Sequence, residues 1–489
     1  MALIEALDLH IPLPAVRSFV STGARRTTVS GGIISEYYPQ RFGQDTIAGN
    51  LKFAMRYEPA DMGVLHAAFN VLDHAVLEEW ISGEMTGIFA RRAWYIYELL
   101  TGKILNVPDV SSGGYVDLLN PELHLTGSSK KVSRQRINDN LPGGKEYCPL
   151  IRRTEKLNEW MAANLATEAK LIVENVDAAT LARAVQYLYT KETKSSFEIE
   201  GESVESRRAE RFVAALHEAA SFDPTDRESF IRLQNSIVDS RYAARNWRDN
   251  QNYVGQTMSD YREQVHFVSP KPEDVMDMMK GWMQAVKRIE ANAVDPVSIA
   301  ALLSFGFVFI HPFEDGNGRI HRFLIHHILA RSGFTPESLL FPVSAVMLRN
   351  LAGYDEVLRS YSSSILPFVD YSLDASGRMT VNNETAHLYR YWDATNFAEY
   401  LYGCVDETIR RDLKEELGFL QVFDEALRRT AEIVDMPNRR ASLLVRMILQ
   451  NKGTLSKAKR PKFMELTDDE LGAIEAEVRS CAALSSTTF

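Results

Sequence analysis

The stretch that most restricts the fold is 297–310, VSIAALLSFGFVFI, whose only polar side chains are Ser298 and Ser304. A helix that is apolar on every side must be enclosed by other elements. It is shorter than the ~20 residues needed to cross a bilayer, so it reads as the central helix of a core. Pro296 is well placed to open it. The chain can bury such a helix. Of its 489 residues 45% are hydrophobic and 25% charged, a globular balance. At about 150 residues per domain the length suggests roughly three domains.

Around this helix the pattern is mostly helical. Between 62 and 100, Leu65, Phe69, Leu72, Val76, Trp94, Tyr97 and Leu100 recur at threes and fours. From 106 to 155 the texture turns to Gly, Ser, Pro and Asn, which reads as loop chemistry with room for a short hairpin, and as an interdomain connection. Asp177 is a good N-cap for a helix carrying Leu181, Val185 and Leu188. Pro272, Glu273 and Asp274 open another, with Val275, Met278, Met279 and Trp282 on one face. Residues 251–268, QNYVGQTMSDYREQVHFV, gather β-formers around a glycine and predict one hairpin. Amphipathic patterning returns at 417–427 and 441–449. The expected class is mainly α, in three regions: 1–155, mostly helical with a loop-rich segment; 156–371, helical with the hairpin; and 372–489, helical.

The net charge of -10 argues against broad binding to nucleic acid, although the basic stretch 438–463 keeps a local contact open. Lys130, Lys131, Arg134 and Arg136 read as a solvated loop. Cys148, Cys404 and Cys481 are odd in number and far apart, which suits a reducing compartment. The first residues lack the basic flank and apolar run of a signal peptide, so a soluble, cytoplasmic protein without membrane contact is expected.

Residues 311–322, HPFEDGNGRIHR, carry the chemistry. Gly316 and Gly318 allow a tight turn whose N–H groups converge, and the helix that follows adds its positive end. Phosphates suit such a site. Asp315 offers a hard oxygen for Mg²⁺. Arg319 and Arg322, three apart, both point toward the helix start and can fork onto phosphate oxygens. His311 can take a proton near neutral pH. Taken singly, each has an ordinary structural explanation; together they make a nucleotide-phosphate cradle with a base beside it. His321, His326 and His327 are poorly spaced to share a metal ion.

This stretch resembles the Fic-family signature, His-x-Phe-x-(Asp/Glu)-Gly-Asn-Gly-Arg-x-x-Arg, at His311, Phe313, Asp315, Gly316, Asn317, Gly318, Arg319 and Arg322. The likeness extends over NWRDNQNYVG upstream and through Pro342, Val343 and Ser344 to Tyr354, a core of roughly 181–371. It implies a Fic-type helical core with a β-hairpin flap, and transfer of AMP from ATP to a Ser, Thr or Tyr hydroxyl of a protein target, itself included. His311 would be the base and Asp315 the Mg²⁺ ligand. Gly316, Asn317 and Gly318 would form the anion hole. Arg319 would stabilise the departing pyrophosphate, Arg322 would bind the γ-phosphate, and Phe313 would be core. Asn252, Tyr253, Val254 and Gly255 would dock the target's main chain. Relatives acting as kinases depart from the Gly-Asn-Gly turn, which this chain keeps.

Ser196-Phe-Glu-Ile-Glu200-Gly201 resembles the family's inhibitory helix, (Ser/Thr)-x-x-x-Glu-(Gly/Asn), whose glutamate would pair with Arg322 and displace the γ-phosphate. Two alternatives stand beside AMP transfer. The same site could remove AMP from a modified protein, with Glu200 positioning a water. Or the chain could be a DNA-binding, antitoxin-paired regulator with a winged-helix-like C-terminal module.

Overall fold

A computed structural model of the chain describes residues 1–174, 176–203, 206–258, 263–290, 295–337 and 339–485. The architecture is mainly α with four small sheets among the described residues. Two compact units form: Met1–Ala163 with Thr193–Phe334 and Met347–Gly403, and Asn164–Glu192 with Thr335–Val346 and Cys404–Phe489. Every candidate site residue lies in the first.

The site-bearing elements are helix α1 (Ala178–Ile199), strands β1 (Tyr253–Thr257) and β2 (Glu263–Val268), and helices α2 (Pro272–Glu290), α3 (Pro296–Ile310) and α4 (Asn317–Arg331). The apolar helix α3 is buried along almost its whole length and packs against both α2 and α4. Asp295 caps it, accepting from Ser298 N at 2.8 Å, and Pro296 opens it. On its flank Phe307 stacks on Phe230 with ring centroids 5.2 Å apart, and the Trp282 indole N–H donates to Leu303 O at 2.9 Å. Large buried aromatics of this kind cost about 3–5 kcal/mol when truncated to alanine. Tyr147 donates to Leu302 O at 3.0 Å, an approach that only a glycine at 306 leaves open.

The predicted hairpin is present as antiparallel β1 and β2, Tyr253 opposite Val268 and Thr257 opposite Glu263. Its register shifts between Val254 and Gly255, where an added Cβ would lie 2.6 Å from Gln264 O. The tip of the predicted hairpin, 259–262, lies outside the described residues.

The N-terminal region holds more strand than its sequence shows. Val16–Ser21, Arg26–Ser30 and Ile33–Pro39 form a sheet with the third strand central. The strand Arg26–Ser30 is exposed throughout, so no in–out alternation marks it. The 106–155 segment is packed rather than a free connection. Leu118, Leu119, Ile137, Leu141 and Cys148 join the core of Leu65, Phe69, Trp94 and Tyr97. The expected short hairpin is there, Lys130–Val132 antiparallel to Ile137–Asp139, with Val116–Asp117 on its other edge, and side chains add to it: Asn140 accepts from Leu119 N at 2.8 Å and donates to Leu119 O at 3.0 Å. The basic run is structural in part. Arg136 donates to Val110 O and Ser111 O at 3.1 and 3.0 Å.

In the second unit, helices α5 (Lys414–Ile433), α6 (Asn438–Gln450) and α7 (Asp468–Ser485) enclose Phe423, Leu444, Ile448, Phe463 and Ile474. No strand follows Gly403 among the described residues, so this part carries no β-wing there.

Candidate active site

The loop between α3 and α4 begins with a strained residue. His311 ends α3 with φ 52°, ψ 56°, a left-handed conformation uncommon outside glycine. Pro312 explains the break, because the residue before proline is pushed out of the helical region. Arg248 holds the strained backbone in place. Its main-chain N–H donates to Pro312 O at 2.8 Å and its Nε to His311 O at 2.7 Å. The same guanidinium reaches Asn250 O and Pro270 O, at 2.8 and 2.6 Å, at the two ends of the hairpin. One buried side chain thus fastens the hairpin base to the loop. Asn252 adds a bond to Phe313 O at 3.3 Å, and Phe313 itself is core, its ring 5.0 Å from that of Trp247.

His311 Nδ1 lies 3.0 Å from Val308 O. A carbonyl only accepts, so Nδ1 carries the proton and Nε2 keeps the lone pair a base needs. Burial, followed by the Arg248 guanidinium, lowers the imidazole from 6.5 to about 4, against the bond to Val308 and the carboxylates of Glu200 and Asp315. The ring is therefore neutral at physiological pH. If His311 is the base, kcat/KM for transfer stays level from neutrality down to about pH 5 and falls only as pH drops through about 4. An acid limb near 6.5 in that profile would remove the assignment.

The turn itself is a helix N-terminus without a cap. Gly316, at φ 93°, precedes α4, and no side chain caps its first turn. Asn317 turns its amide inward, accepting from Phe313 N at 3.0 Å and donating to Phe313 O at 2.8 Å. It thereby fixes the loop. Gln234 supports the far side, donating to Asp315 O at 3.1 Å. Asp315 Oδ1 accepts from Gly316 N at 2.6 Å and from Arg319 at 2.8 Å, and the side chain is 39% exposed.

Both signature arginines are buried, Arg319 at 1% and Arg322 at 0% exposure. Arg322 is held by the segment that resembles the inhibitory helix. It donates to Ser196 Oγ at 2.8 Å, Ser196 O at 2.7 Å and Glu200 Oε1 at 2.7 Å. Burial would raise the Glu200 carboxyl, but Arg322, then Arg319 and His311, outweigh it and hold it below the usual carboxylate range. The Glu200 carboxylate lies against Gly318, where a Cβ would collide with it. It therefore sits beside the helix start that a phosphate would approach. Gly201 follows at φ 70° and turns the chain so that Glu202 reaches Arg319.

The structure thus brings His311, Asp315, Gly316, Asn317, Gly318, Arg319, Arg322, Ser196 and Glu200 into one place. Tyr253, Val254 and Gly255 lie along the hairpin, with Val254 47% exposed. His321 and His327 belong to packing: the His321 ring lies 4.5 Å from that of Phe305, and His327 Nδ1 is 2.7 Å from Ala219 O. Arg248, Gln234 and Glu202 are site residues the sequence reading did not single out.

Parts of the chain resemble known proteins. The Fic/DOC family model matches residues 224–329, which include the hairpin, His311 and α3 with most of α4. A protein adenylyltransferase Fic of Nematostella vectensis is 39% identical over 85 residues, 17% of this chain and 20% of that protein. A protein adenylyltransferase fic-1 of Caenorhabditis elegans is 35% identical over 96 residues, 20% of this chain and 16% of that protein. The chain therefore spans a fifth or less of the length of these curated relatives. Among solved structures, a Fic family protein from Desulfovibrio desulfuricans has a TM-score of 0.40 at 18% identity, covering 65% of this chain and 89% of that one. Ser196–Gly201 lie outside the matched residues. Residues 224–329 of the chain thus carry a Fic domain.

Proposed function

We propose that the chain transfers AMP from ATP to a Ser, Thr or Tyr hydroxyl of a protein target, itself included, and that Glu200 holds the site off. One juxtaposition carries this reading: an imidazole with its lone pair at Nε2, an uncapped helix start and two buried arginines converge on one loop. The target hydroxyl gives its proton to His311 Nε2 while its oxygen attacks the α-phosphorus. The bond to the bridging oxygen breaks and pyrophosphate leaves. The N–H groups at 316–318 and Arg319 face the charge that develops, and Arg322 takes the γ-phosphate once Glu200 releases it. Positioning and charge neutralisation of this kind supply most of the catalysis in phosphoryl-group transfer.

Asp315 is suited to a Mg²⁺ ion, since it is a partly exposed carboxylate at the mouth of the turn. No group of three ligating side chains exists among the described residues, so phosphate and water oxygens would complete the shell, as Mg²⁺ commonly accepts. When bound, the ion neutralises charge on the α- and β-phosphates. Asp315→Ala, or EDTA added to the unmodified protein, is expected to abolish transfer of label from α-labelled ATP. Full labelling in EDTA would overturn the metal assignment.

Removal of AMP from a modified protein is the second reading, and one observation favours it. Glu200 stays charged, is one-third exposed and acts electrostatically on His311, so it can orient a water. No described helix is long and apolar enough to cross a membrane. The cytoplasm, where ATP is plentiful, is the compartment we propose.

A further inference from the structure

Arg322 is not the only signature arginine under a carboxylate. Arg319 faces Glu202 fork to fork: Nη2 lies 3.0 Å from Glu202 Oε1, and Nη1 donates to Glu202 Oε2 at 3.2 Å. This is the paired geometry in which a guanidinium binds a carboxylate or a phosphate. Both Nη atoms have further partners, while Nε is buried without one among the described residues. Nη1 donates to Ile237 O at 3.0 Å and Nη2 to Asp315 Oδ1 at 2.8 Å, while the Phe197 ring lies 5.3 Å from its carbon. A phosphate oxygen can therefore reach the fork of Arg319 only by displacing Glu202.

Glu202 has somewhere to go. Arg208 already donates to its Oε2 at 2.8 Å, and the Glu202 side chain is 29% exposed. The turn at Gly201 places both carboxylates on the short segment that ends α1, so one element covers both arginines.

We infer that Glu202 is a second inhibitory carboxylate, which competes with the phosphates of ATP for Arg319 as Glu200 competes for Arg322. This rests on the reading of Arg319 as a phosphate ligand. Release is then a two-step event. Removing Glu200 frees the γ-phosphate seat and leaves the neighbouring seat still contested, so a Glu200→Gly protein is only partly open. Adenosine, which has no phosphate, is indifferent to Glu202.

The test is calorimetric titration of the full chain with ATP and Mg²⁺, and separately with adenosine. The proteins carry His311→Ala to prevent turnover and are otherwise unchanged, Glu200→Gly, Glu200→Gly with Glu202→Gln, or Glu200→Gly with Glu202→Ala. Both Glu202 variants are expected to bind ATP about tenfold more tightly than Glu200→Gly alone, the worth of one charge-assisted pair, with adenosine affinity unmoved. Equal ATP affinity with and without Glu202 would overturn the inference. So would weaker ATP binding, which would make Glu202 a residue that orients Arg319. In both cases a tighter Glu200→Gly protein would leave the Glu200 lock standing. If neither Glu200→Gly nor the double variants bind ATP, the nucleotide reading itself falls, and this inference with it. Two replacements of a partly exposed side chain guard against a folding defect, since melting temperatures matching the parent exclude one.

Discussion

His311→Ala is expected to lower AMP transfer by roughly 10²–10⁴-fold, the usual contribution of a general base, while ATP binding persists. The separation follows from the geometry. In the proposed reading the phosphates are held by the turn at 316–318 and by Arg319 and Arg322, none of which needs the imidazole. His311 contributes its backbone carbonyl to Arg248, and alanine keeps that bond. What is lost is the ring whose Nδ1 proton is fixed on Val308 O and whose other nitrogen carries the lone pair. Initial rates with α-labelled ATP, read beside ATP affinity by titration, check both halves. Transfer at the parental rate would show that another group removes the proton.

The second large effect is expected at Glu200, which we propose holds the site off. Glu200→Gly is expected to raise auto-modification by about tenfold or more, and Arg322→Ala to cancel that gain. In the proposed reading the carboxylate and the γ-phosphate would compete for the one guanidinium that Glu200 now holds, and a hydrogen bond to a charged group is worth about 1.5–3 kcal/mol. The lower end applies here, because the Glu200 side chain is 34% exposed and water screens it. Removing the carboxylate opens the seat, whereas removing the guanidinium leaves neither partner anything to bind. AMP incorporation by the parent, the two single variants and the double variant gives the comparison. A Glu200→Gly protein no more active than the parent would count against inhibition. If that variant also failed to remove AMP from a modified target, Glu200 would belong to the reverse reaction.

What could be read in the sequence was whatever is local. The all-apolar helix, the tight turn that follows it and the hairpin 58 to 43 residues upstream all announce themselves through composition and spacing over a dozen or so residues. The role of Arg248 could not be read this way. A guanidinium that serves carbonyls at 250, 270 and 311 is defined by contacts up to 63 residues apart. Glu202 stood in plain view beside the glutamate of the inhibitory motif, but only the left-handed turn at Gly201 brings it to Arg319. The N-terminal sheet stayed hidden for another reason. Apart from Ser18 and Tyr38 its strands are solvated or half-buried on both faces, so the alternation that betrays a strand is missing. The Gly- and Pro-rich segment from 106 showed its short hairpin but not its packing, because asparagine and arginine side chains from distant positions help to hold its backbone.

The most direct test of AMP transfer is mass spectrometry of the purified chain and its Glu200→Gly variant after incubation with ATP and Mg²⁺. The expected spectrum of the variant shows added AMP on a Ser, Thr or Tyr side chain, much less in the parent and none when His311 is alanine. Phosphate in place of AMP, or equal modification with and without His311, would contradict the proposed reaction.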